Sequence, residues 1–174
     1  MQVNNKYIDW QPITNEIARS SELTILELGC GMGTAHLINS FKFVYSYETN
    51  TRDTDGHWFK LTEQKHMNKN WIGFFDTEFP NIKQNVNITK LISNISKKID
   101  LNIIDVVFID PGFKNRAECV LEFANMNKFQ YIFTHDTNVD SDLYEWHLLK
   151  KMPTTYKLHK HINIGQGTTL WKMI

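Results

Sequence analysis

Apolar and polar positions along this chain switch between two periods, and the switches predict strands alternating with helices. Leu23-Thr-Ile-Leu-Glu-Leu28 is a short, mostly apolar run that stops at the alternating glycines Gly29, Gly31 and Gly33, which predicts a buried strand, a tight turn and a helix start. Ala35, Leu37, Ile38 and Phe41 then recur at helix spacing, and Phe43-Val-Tyr-Ser-Tyr47 returns to a strand that ends in Glu48. A polar, turn-rich stretch from residue 50 leads into a helix through Met67, and Trp71-Ile-Gly-Phe-Phe75 is a third strand, ending at Asp76. Val86, Ile88, Leu91, Ile92 and Ile95 line one side of a helix closed by Lys97 and Lys98 near its negative end. Ile103-Ile-Asp-Val-Val-Phe-Ile109 is nearly continuous in apolar residues, as a central parallel strand requires, and stops at Asp110. A helix from Asn115 through Phe123, a strand over 129–134 and a helix over about 140–151 follow. The last two strands, 156–162 and 168–173, are joined by Gly165-Gln166-Gly167, a link short enough for an antiparallel hairpin. Ahead of the first strand, residues 14–20 predict a short helix capped by Thr14, with Ile13 and Ile17 on its buried side and Asp9-Trp10 as a loose lid.

Alternation of this kind implies an α/β fold. The expectation is a seven-stranded, mostly parallel sheet with helices on both faces and a C-terminal antiparallel hairpin, all within one domain over residues 1–174. At 174 residues and 41% hydrophobic content the chain supports one core.

Charge and cysteine content narrow the function classes. Lysine and arginine number 19 and so do aspartate and glutamate, so a nucleic acid is disfavoured as a partner and a small-molecule acceptor is expected instead. The start of the chain lacks the basic-then-apolar pattern of a secretory leader and no apolar run reaches membrane-spanning length, which points to a cytoplasmic protein with no membrane partner. A homo-oligomer is compatible with so compact a domain. Cys30 and Cys119 are too few for a disulfide framework.

The glycine turn carries the chemistry. Glycine lets the backbone come close to a ligand, and an acidic residue at the next strand end is placed to accept from a ribose diol. Gly31 and Gly33 are one residue apart, whereas in a dinucleotide fingerprint the third glycine comes three positions after the second. Glu27-Leu-Gly-Cys-Gly-Met-Gly33, with Glu48 after it, resembles the first motif and following acidic residue of the class I S-adenosylmethionine-dependent methyltransferases. The resemblance implies the Rossmann-like methyltransferase fold, S-adenosylmethionine as cofactor, and a cofactor site drawn from Glu27, Gly29, Gly31, Gly33 and Glu48, with Asp76 accepting from the adenine amine.

In open α/β sheets ligands sit outside the carboxyl ends of the strands, which brings Asp110 and the His135-Asp136-Thr137-Asn138 cluster to the same rim. Asp110, Asp136 and Asn138 form an all-oxygen set for Mg²⁺, which would lower the pKa of an acceptor hydroxyl. Asp110 followed by Lys114 and Arg116 is similar to the fourth-strand motif of catechol-type O-methyltransferases, with Lys114 one residue further on; the resemblance implies O-methylation with Lys114 as the base. His135 is a second candidate base. The other reading takes Asp110-Pro-Gly-Phe113 as similar to the Asp-Pro-Pro-Tyr/Phe motif of amino-methyltransferases acting on a nucleobase or amide nitrogen, which implies that Asp110 and a backbone carbonyl accept from the amine while Phe113 stacks on a flipped base. A protein that binds or degrades S-adenosylmethionine without methylating anything is a third.

Overall fold

The computed structural model describes residues 10–49, 56–66, 69–79, 84–138 and 141–174. Expectations for Asp9 of the lid, for the polar stretch 50–55, for Met67 and for the helix start at Asp140 lie outside the described residues, as does the N-terminal segment 1–7. Seven strands form one sheet: β1 (Thr24–Leu28), β2 (Phe43–Thr49), β3 (Trp71–Asp76), β4 (Val106–Ile109), β5 (Tyr131–His135), β6 (Tyr156–Ile162) and β7 (Thr168–Met173). Their order is β3-β2-β1-β4-β5-β7-β6. The first five are parallel, and β7 runs antiparallel to both β5 and β6, as the alternating pattern and the closing hairpin predict.

The chain leaves β1 toward β2 and β3, then returns to β4 on the other side of β1. That reversal opens a crevice above β1 and β4, where doubly wound sheets bind their ligands. Strand alternation sends Ile25, Val44, Val106, Phe108 and Phe133 to one face, under α1 (Gln11–Glu16), α2 (Thr34–Ser40) and α3 (His57–His66). Leu26, Leu28, Val107, Ile109 and Ile132 go to the other, under α4 (Ile88–Ser96) and α5 (Arg116–Asn125). Each such side chain, fully buried, contributes roughly 1.5–3 kcal/mol, so the two apolar layers fix which residues are left at the strand ends.

The structure departs furthest from the sequence reading at three boundaries. Helix α1 starts at Gln11 rather than Thr14, because Pro12 suits a first turn; Thr14 lies inside it and its hydroxyl donates to Gln11 O at 2.8 Å. Strand β4 starts at Val106 because Leu101–Ile103 is a 3₁₀ turn held by the Asp100 side chain. The stretch before the hairpin splits into α6 (Ser141–Tyr144) and a 3₁₀ helix, Trp146–Lys151, with Glu145 between them at φ 60°. Among the described residues no helix is long and apolar enough to cross a membrane.

Candidate active site

Register places the chemistry. Glu27, Phe108 and Phe133 are aligned across β1, β4 and β5. Two residues further along, the same face is reached again by Gly29, Asp110 and His135. Phe108, stacked on Phe133 at 4.3 Å, floors a cavity of 430 Å³ whose walls include Glu27, the turn from Gly29 to Gly33, Trp10 and Trp58. Asp110, His135 and Asp136 border the same cavity, and Gly165 and Gln166 of the hairpin link close its far side.

The three glycines serve different needs. Only Gly29 takes a left-handed φ, +94°, and a Cβ there would sit 2.3 Å from the Asp110 carbonyl oxygen, so β1 and β4 meet as closely as backbones can. A Cβ on Gly33 would meet Trp10 at 2.2 Å, since the indole lies on the turn. A Cβ on Gly31 would meet nothing within 4 Å; the space beside it is the cavity.

Carboxylates hold the turn from beneath. Glu27 is buried and accepts from the Thr34 hydroxyl at 2.9 and 3.0 Å and from Ser46, while Thr34 Oγ1 accepts from Gly31 N–H at 3.0 Å. Burial pushes the Glu27 carboxyl up to about 8; the Ser46 and Thr34 hydrogen bonds oppose the shift, and the charges of Glu48 and Asp110 add to it. Glu48 Oε2 accepts from Cys30 N–H at 2.6 Å, so the residue expected at the ribose also clamps the turn. Burial raises the Cys30 thiol to about 12, which keeps it neutral.

Asp76 is occupied. Its carboxylate accepts from the Tyr47 hydroxyl, from Glu78 N–H at 2.9 Å and from Asn94 Nδ2 at 3.1 Å. Burial works against its charge, but these bonds outweigh burial and hold the carboxyl below its ordinary value. It does not line the cavity.

At the β4–β5 rim the structure assembles a four-residue cluster. Arg116 opens α5 and is almost wholly buried; its Nη1 donates to Asp110 Oδ1 and Asp136 Oδ2, both at 2.9 Å, and its guanidinium lies 4.0 Å from the Tyr144 ring. The other carboxylate oxygens face His135, whose Nδ1 is 3.6 Å from Asp110 Oδ2 and 3.2 Å from Asp136 Oδ1. Asp136 takes a left-handed φ of 64°, which Asp tolerates better than most residues. Trp146 Nε1 donates to its carbonyl at 3.1 Å and so fixes the turn. Two carboxylates against one guanidinium leave the cluster one negative charge when His135 is neutral and none when it is protonated.

The sequence-derived candidates divide accordingly. Asp110, His135 and Asp136 come together with one ligand atom each within 4.8 Å, whereas Asn138 turns to the hairpin, donating from its side chain to Asn163 and from its backbone to Gln166 O at 2.8 Å. The metal-capable set is thus two carboxylates and an imidazole rather than three oxygen ligands. Lys114 is exposed and does not line the cavity; its backbone N–H donates to Gln84 O at 3.1 Å. Phe113 is completely buried in the α4–α5 layer, so it offers no ring to a base. Arg116 as the clamp between the carboxylates was missed, although its place at the start of α5, six residues after Asp110, was the available signal. Trp10 as a cavity wall was legible only as part of a lid.

No family model matches the chain, and no curated protein matches it by sequence. Solved structures do match. A Staphylococcus aureus protein assigned as a caffeoyl-CoA O-methyltransferase superposes with a TM-score of 0.60 at 17% identity, over 94% of this chain and 81% of its own. A SAM-dependent methyltransferase from Aquifex aeolicus gives 0.56 at 16% identity, over 96% and 89%. An rRNA methylase from Streptococcus thermophilus gives 0.57 at 12% identity, over 94% and 95%. The chain therefore has the Rossmann-like fold of the class I methyltransferases, and no subtype within it is singled out. The third match also corrects an expectation. Nucleic acid was disfavoured because the charge balances, yet an rRNA methylase matches over nearly its whole length, so this fold does not weigh against a nucleic-acid acceptor.

Proposed function

We propose that this chain, as one domain, binds S-adenosylmethionine in the 430 Å³ cavity and transfers its methyl group to an acceptor hydroxyl placed against Asp110, His135 and Asp136. One observation carries the reading: the glycine turn and the carboxylate–histidine cluster line the same cavity. Its volume falls within the roughly 300–1,000 Å³ of small-ligand pockets, and the open space beside Gly31 is where a ligand can lie against bare backbone. S-adenosylmethionine supplies a methyl group on a positively charged sulfur, which an oxygen nucleophile takes in line. Glu48 supplies negative charge beneath the turn and is the residue assigned to the ribose diol, and Glu27 gives up its proton when the cofactor's cation lies beside it. His135 accepts the proton of the acceptor hydroxyl. Asp110 and Asp136 balance the imidazolium that results, and Arg116 holds both carboxylates in place.

A second reading has its own support. Asp136 Oδ1 is buried and, among the described residues, has no hydrogen-bond donor, which fits a divalent cation held by Asp110, Asp136 and His135. Two oxygens and a nitrogen suit Mn²⁺, Fe²⁺ or Zn²⁺ better than Mg²⁺, and such an ion would supply Lewis acidity at the acceptor oxygen. The two readings compete for His135 Nδ1. Calorimetry with S-adenosylmethionine, then methyl transfer to a panel of hydroxyl acceptors before and after chelation, tests them. Binding with activity that survives chelation and is lost in His135→Asn supports the base. Activity lost on chelation and restored by Mn²⁺ supports the metal, and absence of cofactor binding overturns both.

A further inference from the structure

Zero net charge conceals a strong segregation. Lys150, Lys151, Lys157, Lys160 and Lys172 all fall after residue 145 and no aspartate or glutamate does, so the last 29 residues carry five positive charges. The first 145, with 14 basic and 19 acidic residues, carry five negative ones. His147, His159 and His161 lie in the same basic segment.

The fold gathers that segment at one edge of the sheet, as β6, β7 and the 3₁₀ helix Trp146–Lys151. Strand β6 is the outermost strand, and its residues 157–161 are all exposed, as are Lys150 and Lys151. Lys160 pairs with Glu16 at 3.2 Å. On the α4–α5 face of this edge runs a groove of 290 Å³ walled by Trp146, Trp171 and Leu158, with His161 and Thr137 at its polar side; Lys157, Lys160 and Lys172, out of step with Leu158 and Trp171, fall on the opposite face. Leu158 is 62% exposed, a large apolar side chain on the outermost strand.

This edge is tied to the candidate active site. Trp146 holds the Asp136 carbonyl, Thr137 N–H donates to Gly167 O at 3.2 Å, and the link residues Gly165 and Gln166 line the cavity.

We propose that the β6 edge binds a single-stranded polynucleotide, the lysines on both sides of the edge holding its phosphates and the Trp146–Trp171–Leu158 groove taking one base. Lysines flanking an exposed edge from both sides attract a polyanion, and an apolar aromatic slot on one side gives an unpaired base a stacking surface that a carboxylate-rich protein segment does not use. The strand then runs over the Gly165-Gln166-Gly167 link to the cavity mouth. As the acceptor of methyl transfer, this polynucleotide rests on the reading above; as a bound partner it does not.

The test is fluorescence anisotropy of a labelled, mixed-sequence single-stranded RNA with the whole protein and no S-adenosylmethionine. Four engaged lysines predict a log–log salt slope of about −3, at roughly 0.7 per phosphate contact. Lys150→Glu with Lys157→Glu should weaken binding at least tenfold and flatten the slope by about 1.4, while Lys97→Glu with Lys98→Glu at the far end of α4 should leave both unchanged. Melting temperature and cofactor affinity check that each variant is folded; if the glutamates destabilise, the glutamine pair is used and should still weaken binding. No RNA binding at low salt, equal loss in both pairs, equal binding of duplex RNA, or displacement by polyglutamate as readily as by unlabelled RNA would each overturn the proposal. RNA bound without methyl transfer to any acceptor counts against the catalytic reading alone, and methyl transfer to a small hydroxyl compound without RNA binding counts against this one alone.

Discussion

Arg116 is the residue on which the charge balance of the cluster depends. Its guanidinium bridges Asp110 and Asp136 at 2.9 Å each, with 2% of its own side chain, 18% of Asp110 and 7% of Asp136 open to solvent. Arg116→Met keeps the length and much of the volume but leaves two carboxylates facing each other without a counterion. Breaking a buried ion pair from one side costs about 3–5 kcal/mol, and the partial exposure of Asp110 places this case near 3 kcal/mol. For a domain of this size that lowers the melting temperature by about 6–12 °C. The assay is urea denaturation of four proteins: wild type, Arg116→Met, Asp136→Asn and the double variant. If the cost is uncompensated charge, the double variant recovers at least ~1 kcal/mol over Arg116→Met alone. A loss below 1 kcal/mol, or an additive double variant, would refute the picture of Arg116 as the counterion of the cluster.

Other perturbations follow from the turn. Glu27 is raised to about 8 in the folded protein, so the native state holds a proton that the unfolded chain releases from about pH 4.5 upward. Its contribution is therefore fully present below pH 4.5 and is lost as pH rises through 8, a loss of a few kcal/mol in order of magnitude; Glu27→Gln should flatten this stretch of the pH–stability curve from urea melts. A cation bound beside Glu27 favours its carboxylate, so cofactor titrations at pH 7 in buffers of different ionisation enthalpy should show proton release in wild type and less in Glu27→Gln. Gly29→Ala, at φ +94° with the Asp110 carbonyl 2.3 Å from the new carbon, should fail to fold or lose several kcal/mol. Gly33→Ala must instead displace Trp10 and should cost about 1–3 kcal/mol with a change in tryptophan fluorescence. Glu48→Ala removes the acceptor of Cys30 N–H and the proposed diol contact together, and calorimetry should show cofactor affinity down by at least about tenfold; unchanged affinity would remove Glu48 from the site.

What the sequence determined by itself was local. Apolar runs ending at polar rims are enough to specify the central strands β1, β4 and β5, because a strand buried on both faces needs a near-continuous apolar stretch and the residue after it must face solvent or a ligand. The same logic put Glu27, Gly29, Glu48, Asp110 and His135 at strand ends, and the short glycine link told a hairpin from a crossover. Tertiary structure decided the partnerships. Whether Arg116 faced water or two carboxylates, whether Asp76 met a ligand or Tyr47, and whether Asn138 joined Asp136 or the hairpin depended on which strand ends became neighbours and on a single left-handed residue, Asp136. Net charge misled for the same reason. A sum over the chain has no direction, whereas the fold collects the last five lysines along one edge and leaves the acidic excess elsewhere. Side-chain pairing and surface charge are set by distances through space, and the order of residues fixes those only after the sheet has formed.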